Sequence, residues 1–136
     1  MIKPLSSFPV YVVSDIESAK YFYVEYLGFT LVFSGDWYIH LVSESGVQIG
    51  FLLPDQATQP QMFRKAFDGS GALFSIEVED SETAYSYAVQ NDLNIPLELR
   101  SEDWGQKHFV IADPNGLMID VVESFEPTDE YKSDYN

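Results

Sequence analysis

Asp15-Ile16-Glu17-Ser18-Ala19 and Asp80-Ser81-Glu82-Thr83-Ala84 are one short phrase written twice, 65 residues apart. Each opens an amphipathic stretch, and Val24 and Val89 keep the same register. A second landmark repeats as well: Ser43-Glu44-Ser45-Gly46 has its counterpart in Asp113-Pro114-Asn115-Gly116, offset by 70. The second half of the chain therefore repeats the layout of the first. Such a duplication predicts a cleft between like halves and identifies the positions that are equivalent within it.

Working outward, Phe8–Val13 is β-branched and aromatic and reads as a strand. Ser14 and Glu17 form a capping-box pattern, and Ile16, Ala19, Phe22, Tyr23, Tyr26 and Leu27 follow at helical spacing. Gly28 stops that helix. Strand-like runs follow at Phe29–Phe33, Trp37–Val42 and Val47–Leu53. The second module repeats the order: a strand at Ala72–Val78, a helix at Ser81–Asp92 with Asp80 as N-cap, and strands at Ile95–Leu99, Lys107–Ala112 and Leu117–Val122. In the Asp113-Pro114-Asn115-Gly116 turn, Pro suits the first central position and Asn-Gly the left-handed ones. The predicted organisation is a βαβββ module over residues 1–53, a linker over 54–70, a second βαβββ module over 71–124 and an acidic tail over 125–136. Gln61–Phe67 is predicted as a short helix in the linker. The tail, with Pro127 and five acidic residues from Glu123 to Asp134, is predicted to fray or drape over the surface. The fold class is α+β, with two curved mixed sheets around a cleft.

With 46% hydrophobic and 15% aromatic residues, the chain can bury a core, which excludes disorder for most of its length. It has no cysteine, which excludes disulfides, thiolate metal sites and a cysteine nucleophile. Lys and Arg number 7 against 22 Asp and Glu, a formal charge of −15. That field repels phosphate backbones, so no nucleic acid is expected as partner, and it draws in cations. No run of about 18 apolar residues occurs, so no membrane partner is expected. The N-terminus carries no apolar core of signal-peptide length, and the expected location is the cytoplasm.

Three stretches together resemble the glyoxalase/bleomycin-resistance/extradiol-dioxygenase superfamily, the vicinal oxygen chelate fold. They are Val13–Phe29, ending in Leu27-Gly28-Phe29; Trp104–Phe109; and Ala112–Val121 with its Asp-Pro-Asn-Gly turn. The resemblance covers residues from about 7 to 124 and is specific for the fold, which hosts isomerases, lyases, dioxygenases and plain binding proteins. Metal-dependent members place a ligand in the first and last strand of each module. The repeat register maps these positions onto Phe8, Gly50, Leu73 and Asp120. One carboxylate does not hold a catalytic divalent cation, which typically takes three protein ligands in zinc enzymes. The resemblance therefore implies a member that lacks the usual metal site, with no metal and no cofactor expected.

The candidate ligand-binding residues are Tyr38, His40, Gln48, Trp104, His108 and Asp120. The register pairs Tyr38 with His108 and His40 with Val110, and strand alternation puts all four on one kind of face. The imidazoles are candidates for a proton shuttle or for a hydrogen bond to a ligand. Asp120 lies in an apolar run, Met118-Ile119 and Val121-Val122, and needs a partner there: a ligand cation, His108 or Lys107. Gln48 shares the face of Gly50. Trp104-Gly105 reads as a cleft-rim aromatic able to stack on a planar ligand, and Trp37 as a core or subunit contact.

The function expected from the resemblance is a metal-free small-molecule-binding protein, similar to bleomycin-resistance proteins that sequester drugs. It would take a planar, cationic aromatic ligand, usually as a homodimer. Trp104 would stack on it with Phe33 or Tyr38, and Asp120, Glu102 and Asp103 would attract its charge. The alternative is a metal-dependent glyoxalase-type lyase or isomerase, or a dioxygenase, acting on a small carbonyl or phenolic compound. Non-standard ligands for its metal would be His40, His108 and Asp120. A third reading is an interaction protein with a vestigial cleft. The linker is long enough for modules to pair within one chain or to swap across a dimer.

Overall fold

The computed structural model describes residues 1–126 and 129–134, so Pro127 of the predicted tail lies outside the described residues. The chain divides into two compact units, Met1–Asp68 and Gly69–Asn136. Each carries one four-stranded mixed sheet.

In the first unit, strand β1 (Val10–Val12) leads into helix α1 (Ile16–Leu27), then β2 (Thr30–Ser34), β3 (Tyr38–Val42) and β4 (Gln48–Leu52). The sheet order is β1-β4-β3-β2. The first strand runs parallel to the last, with Val10 opposite Gly50, and the other pairs are antiparallel. Alternation sends Ile39, Leu41, Ile49 and Phe51 toward α1, which returns Ile16, Ala19, Phe22 and Tyr23; all eight are buried. Tyr23 lies 5.0 Å from Phe51 between ring centroids and anchors this layer. The N-cap of α1 differs from the capping-box reading. Asp15, not Ser14, caps it, accepting from the Ser18 backbone N–H at 3.0 Å and from the Ser18 hydroxyl at 2.6 Å. Gly28 ends the helix in the left-handed conformation, φ 70°.

Residues 54–68 stay with this unit. A single 3₁₀ turn spans Gln61–Phe63 in place of the predicted longer helix. Arg64 donates to the Gln59 and Ala57 carbonyls, and the Phe67 N–H donates to the Val12 carbonyl, which ties the segment back to β1.

The second unit repeats the plan with β5 (Leu73–Glu77), α2 (Ser81–Gln90), β6 (Leu97–Glu102), β7 (Gln106–Ala112) and β8 (Met118–Ser124), in the order β5-β8-β7-β6. Here Ser75 stands opposite Asp120. The pairs Val10/Gly50 and Ser75/Asp120 are related by the same offsets, 65 and 70, that the sequence repeat displays. Phe109, Ile111, Ile119 and Val121 face α2 and are buried. Asp80 caps α2 as predicted, and Glu123 of β8 accepts from the backbone and hydroxyl of buried Ser81. In the turn before β8 only Gly116 takes a positive φ, 84°. Asn115 does not; its backbone N–H, like that of Leu117, donates to the Asp113 carboxylate, which holds the turn. A short helix, α3 (Asp129–Lys132), follows in the tail. No helix among the described residues is long and apolar enough to cross a membrane.

Because the cap of α1 is Asp15, Asp15→Ala should cost about 1 kcal/mol and lower the urea midpoint, while Ser14→Ala should leave it unchanged. Asp80→Ala should match Asp15→Ala in size. Equal losses at Ser14 and Asp15 would contradict the assignment.

Candidate functional site

Each sheet has a second face, turned away from its helix, and the candidate residues lie there, except Trp104, which is in the turn between β6 and β7. In the first unit Tyr38 pairs with Leu52, His40 with Gly50 and Val42 with Gln48, so these side chains share that face. The Tyr38 hydroxyl meets His40 Nδ1 at 2.7 Å, and His40 Nε2 meets Gln48 Oε1 at 2.8 Å. Phe8 stands edge-on to the imidazole, 4.9 Å between centroids. Gly50 explains how the tyrosine fits. A Cβ on Gly50 would lie 2.3 Å from the Tyr38 hydroxyl and 2.9 Å from its Cζ, so the phenol occupies the space that a side chain at position 50 would need. Burial raises the Tyr38 phenol above its ordinary 10.0, which keeps it protonated at neutral pH.

Two depressions flank this tyrosine. One, of about 460 Å³, is lined by Phe8, Val10, Val12, Trp37, Tyr38, Leu52, Gln59 and Phe63. The other, of about 450 Å³, is lined by Phe33, Gly35, Trp37 and Tyr38. Trp37 and Tyr38 belong to both. The sequence reading assigned Trp37 to packing or a subunit contact; the structure puts it at the centre of the aromatic surface of this unit.

In the second unit His108 is 8% exposed and holds the centre of a charged chain. Its Nδ1 meets Asp120 Oδ1 at 2.7 Å and its Nε2 meets Glu102 Oε2 at 2.8 Å. Arg100 Nε donates to the same Glu102 oxygen at 2.6 Å. Asp120 thus takes His108 as its partner, while Lys107 goes to Glu82 on α2. A carboxylate only accepts, so an imidazole giving both nitrogens to carboxylates carries both protons and is a cation. Burial pulls the His108 pKa down, but the hydrogen bonds to Glu102 and Asp120 outweigh it and the net shift from 6.5 is upward. Glu102 is correspondingly held below its ordinary value, first by its hydrogen bond to His108 and further by Arg100. Glu102 was expected to attract a ligand cation; it is already paired. Trp104 is 38% exposed, donates its indole N–H to Gln106 Oε1 at 2.8 Å and meets Tyr131 edge-on.

The structure therefore joins Tyr38, His40 and Gln48 into one network and His108 and Asp120 into another, with Trp104 engaged by Gln106. The donor set does not fit a catalytic metal. Of the four positions where the resemblance places ligands, Phe8, Gly50 and Leu73 carry no donor, and Asp120 gives one oxygen to His108. Among the described residues no group of three or more His, Cys, Asp or Glu is arranged to hold a metal. The imidazole nitrogens of His40 and His108 are all occupied by side chains of their own units.

Two βαβββ units, each a mixed four-stranded sheet backed by one helix, define a protein of the duplicated-module α+β class. The chain belongs to the Glyoxalase/Bleomycin resistance protein/Dioxygenase superfamily, whose family model matches residues 7–121. Solved structures agree on the fold. A glyoxalase/bleomycin resistance protein/dioxygenase from Nocardioides superposes with TM-score 0.77 at 17% identity, covering 93% of this chain and 87% of that one. A superfamily member from Sphaerobacter thermophilus gives 0.73 at 24% identity, covering 91% and 100%. Lactoylglutathione lyase from Agrobacterium tumefaciens gives 0.70 at 14% identity, covering 88% and 94%. No curated protein matches the chain.

The His108 chain sets a pH dependence. A histidine whose pKa is raised on folding stabilises the fold fully below its unfolded value and loses that contribution as pH rises through the folded value. Urea midpoints measured from about pH 5 to pH 9 should therefore fall as pH rises beyond the ordinary histidine value of 6.5, in a step that His108→Gln removes. A wild-type step that survives in His108→Gln would show that another group titrates.

Proposed function

We propose that this protein binds a planar aromatic small molecule, and that the ligand seats on the aromatic face of the first unit without a metal. The observation that carries the reading is the depression of about 460 Å³ walled by Phe8, Trp37, Tyr38 and Phe63. Its apolar, ring-rich lining suits a flat ligand, since offset and edge-on ring contacts add to simple burial. The missing metal donors at Phe8 and Gly50 support binding over metal-assisted chemistry.

The charge of −15 supports a cationic ligand. Glu102 and Asp120 are neutralised by Arg100 and His108, so attraction comes from the field of the whole chain and from the faces of Trp37, Tyr38 and Phe33. Sequestration of such a molecule, as in the bleomycin-resistance members the sequence resembles, is the activity this arrangement serves best.

Titration with the planar cation proflavine, followed by calorimetry on chelator-treated protein, tests the reading. Saturable binding is expected, weakened roughly tenfold or more by Trp37→Ala and little changed by Trp104→Ala. Absence of binding to proflavine and related flat cations, or a stoichiometric divalent metal in protein purified without chelator, overturns it.

A further inference from the structure

The network under the aromatic surface has a direction, and the direction selects among ligands. His40 is the pivot. Its Nε2 faces Gln48 Oε1, an acceptor, at 2.8 Å, so Nε2 carries the proton. A neutral imidazole with its proton on Nε2 has a lone pair on Nδ1, and Nδ1 faces the Tyr38 hydroxyl at 2.7 Å. The tyrosine O–H must then point at His40. The phenol has only one proton, so what remains on its oxygen is lone pairs. Phe8 covers the imidazole edge-on, and the bare Cα of Gly50 makes the room in which the phenol lies.

We propose that Gln48 and His40 are positioning residues that turn the Tyr38 hydroxyl into a dedicated hydrogen-bond acceptor, so that this surface prefers flat ligands bearing an N–H donor. The inference rests on the proposed ligand seat and adds to it the polarity of the ligand. Stacking on Trp37 and Tyr38 accepts any planar ring. A polar atom that reaches the Tyr38 oxygen is accepted only if it donates. A carbonyl or a carboxylate there would face a second acceptor with no proton between them, at the cost of an unmade hydrogen bond. Charge and donor capacity thus act separately: the field of the chain draws cations in, and Tyr38 sorts them.

Two measurements test this, one of them without any ligand. The ¹⁵N chemical shifts of the His40 ring report the tautomer directly. The Nε2–H form is expected in the wild type, should persist in Tyr38→Phe, where Gln48 still accepts from Nε2, and should lose its single population in Gln48→Leu; an Nδ1–H form in the wild type reverses the network and overturns the proposal. The second measurement compares two tricyclic cations of equal charge, proflavine with its amino N–H groups and 10-methylacridinium with none. Proflavine should bind the wild type roughly tenfold more tightly, and the preference should vanish in Tyr38→Phe while both dyes still bind. Equal binding to the wild type, or a preference that persists in Tyr38→Phe, overturns the proposal. If neither dye binds, the ligand seat itself fails, and the tautomer alone decides whether Tyr38 is an acceptor.

Discussion

The parallel pairing of the first strand of each unit with its last is the constraint on which everything else depends. It is the one non-local closure in each βαβββ module, and it brings residues 40 or more positions apart into register, Val10 with Gly50 and Ser75 with Asp120. Side chains alternate across a strand, so this register decides which residues meet the helix and which meet the open face. A slip of one residue would turn Ile49 and Phe51 away from Tyr23 and bring Gly50 under the helix in their place. The buried layer of Ile39, Leu41, Ile49 and Phe51 thus enforces the register, and the register delivers Tyr38, His40 and Gln48 to one surface.

The same physics explains what was legible in the sequence. A duplicated chain displays its register as a repeat offset, which is why Gly50 and Asp120 fall at equivalent places and why the absence of metal donors at Phe8, Gly50 and Leu73 was readable without coordinates. Helix ends were less legible. Ser14 and Asp15 are both good caps, and the choice between them rests on a difference of one residue in where the backbone turns. Glu102 was missed as the second partner of His108 because the predicted strand stopped at Leu99, whereas β6 runs on to Glu102 past a register shift between Leu97 and Arg100. Alternation counted from Leu97 fails beyond such an irregularity. Trp104 was weighed by its loop neighbours, and neighbours in sequence do not report that its indole N–H goes to Gln106.

Gly50 shows why an absent side chain is informative only with its surroundings. In the sequence it is a missing ligand. In the structure it is the space taken by the phenol of Tyr38, which reaches diagonally from the adjacent strand. A Cβ at position 50 would displace the phenol, and with it the wall shared by both depressions.

The two units solve the cost of buried polarity in opposite ways. Tyr38 and His108 occupy equivalent positions, as do Gly50 and Asp120. In the first unit the network is Tyr38, His40 and Gln48, with no carboxylate or guanidinium in it, so it can sit beside apolar surface. In the second it is Arg100, Glu102, His108 and Asp120, and the charges sum to zero only when His108 is protonated. Removing that proton leaves two carboxylates and one N–H, so the imidazolium is required by its neighbours as firmly as it is buried by them. A quartet of balanced charges joined through His108 is a strut between strands, whereas the Tyr38 network ends at a tyrosine oxygen beside the ring-lined depression. That difference, arising from the same fold at the same register, is the physical reason to look for the ligand on the first unit.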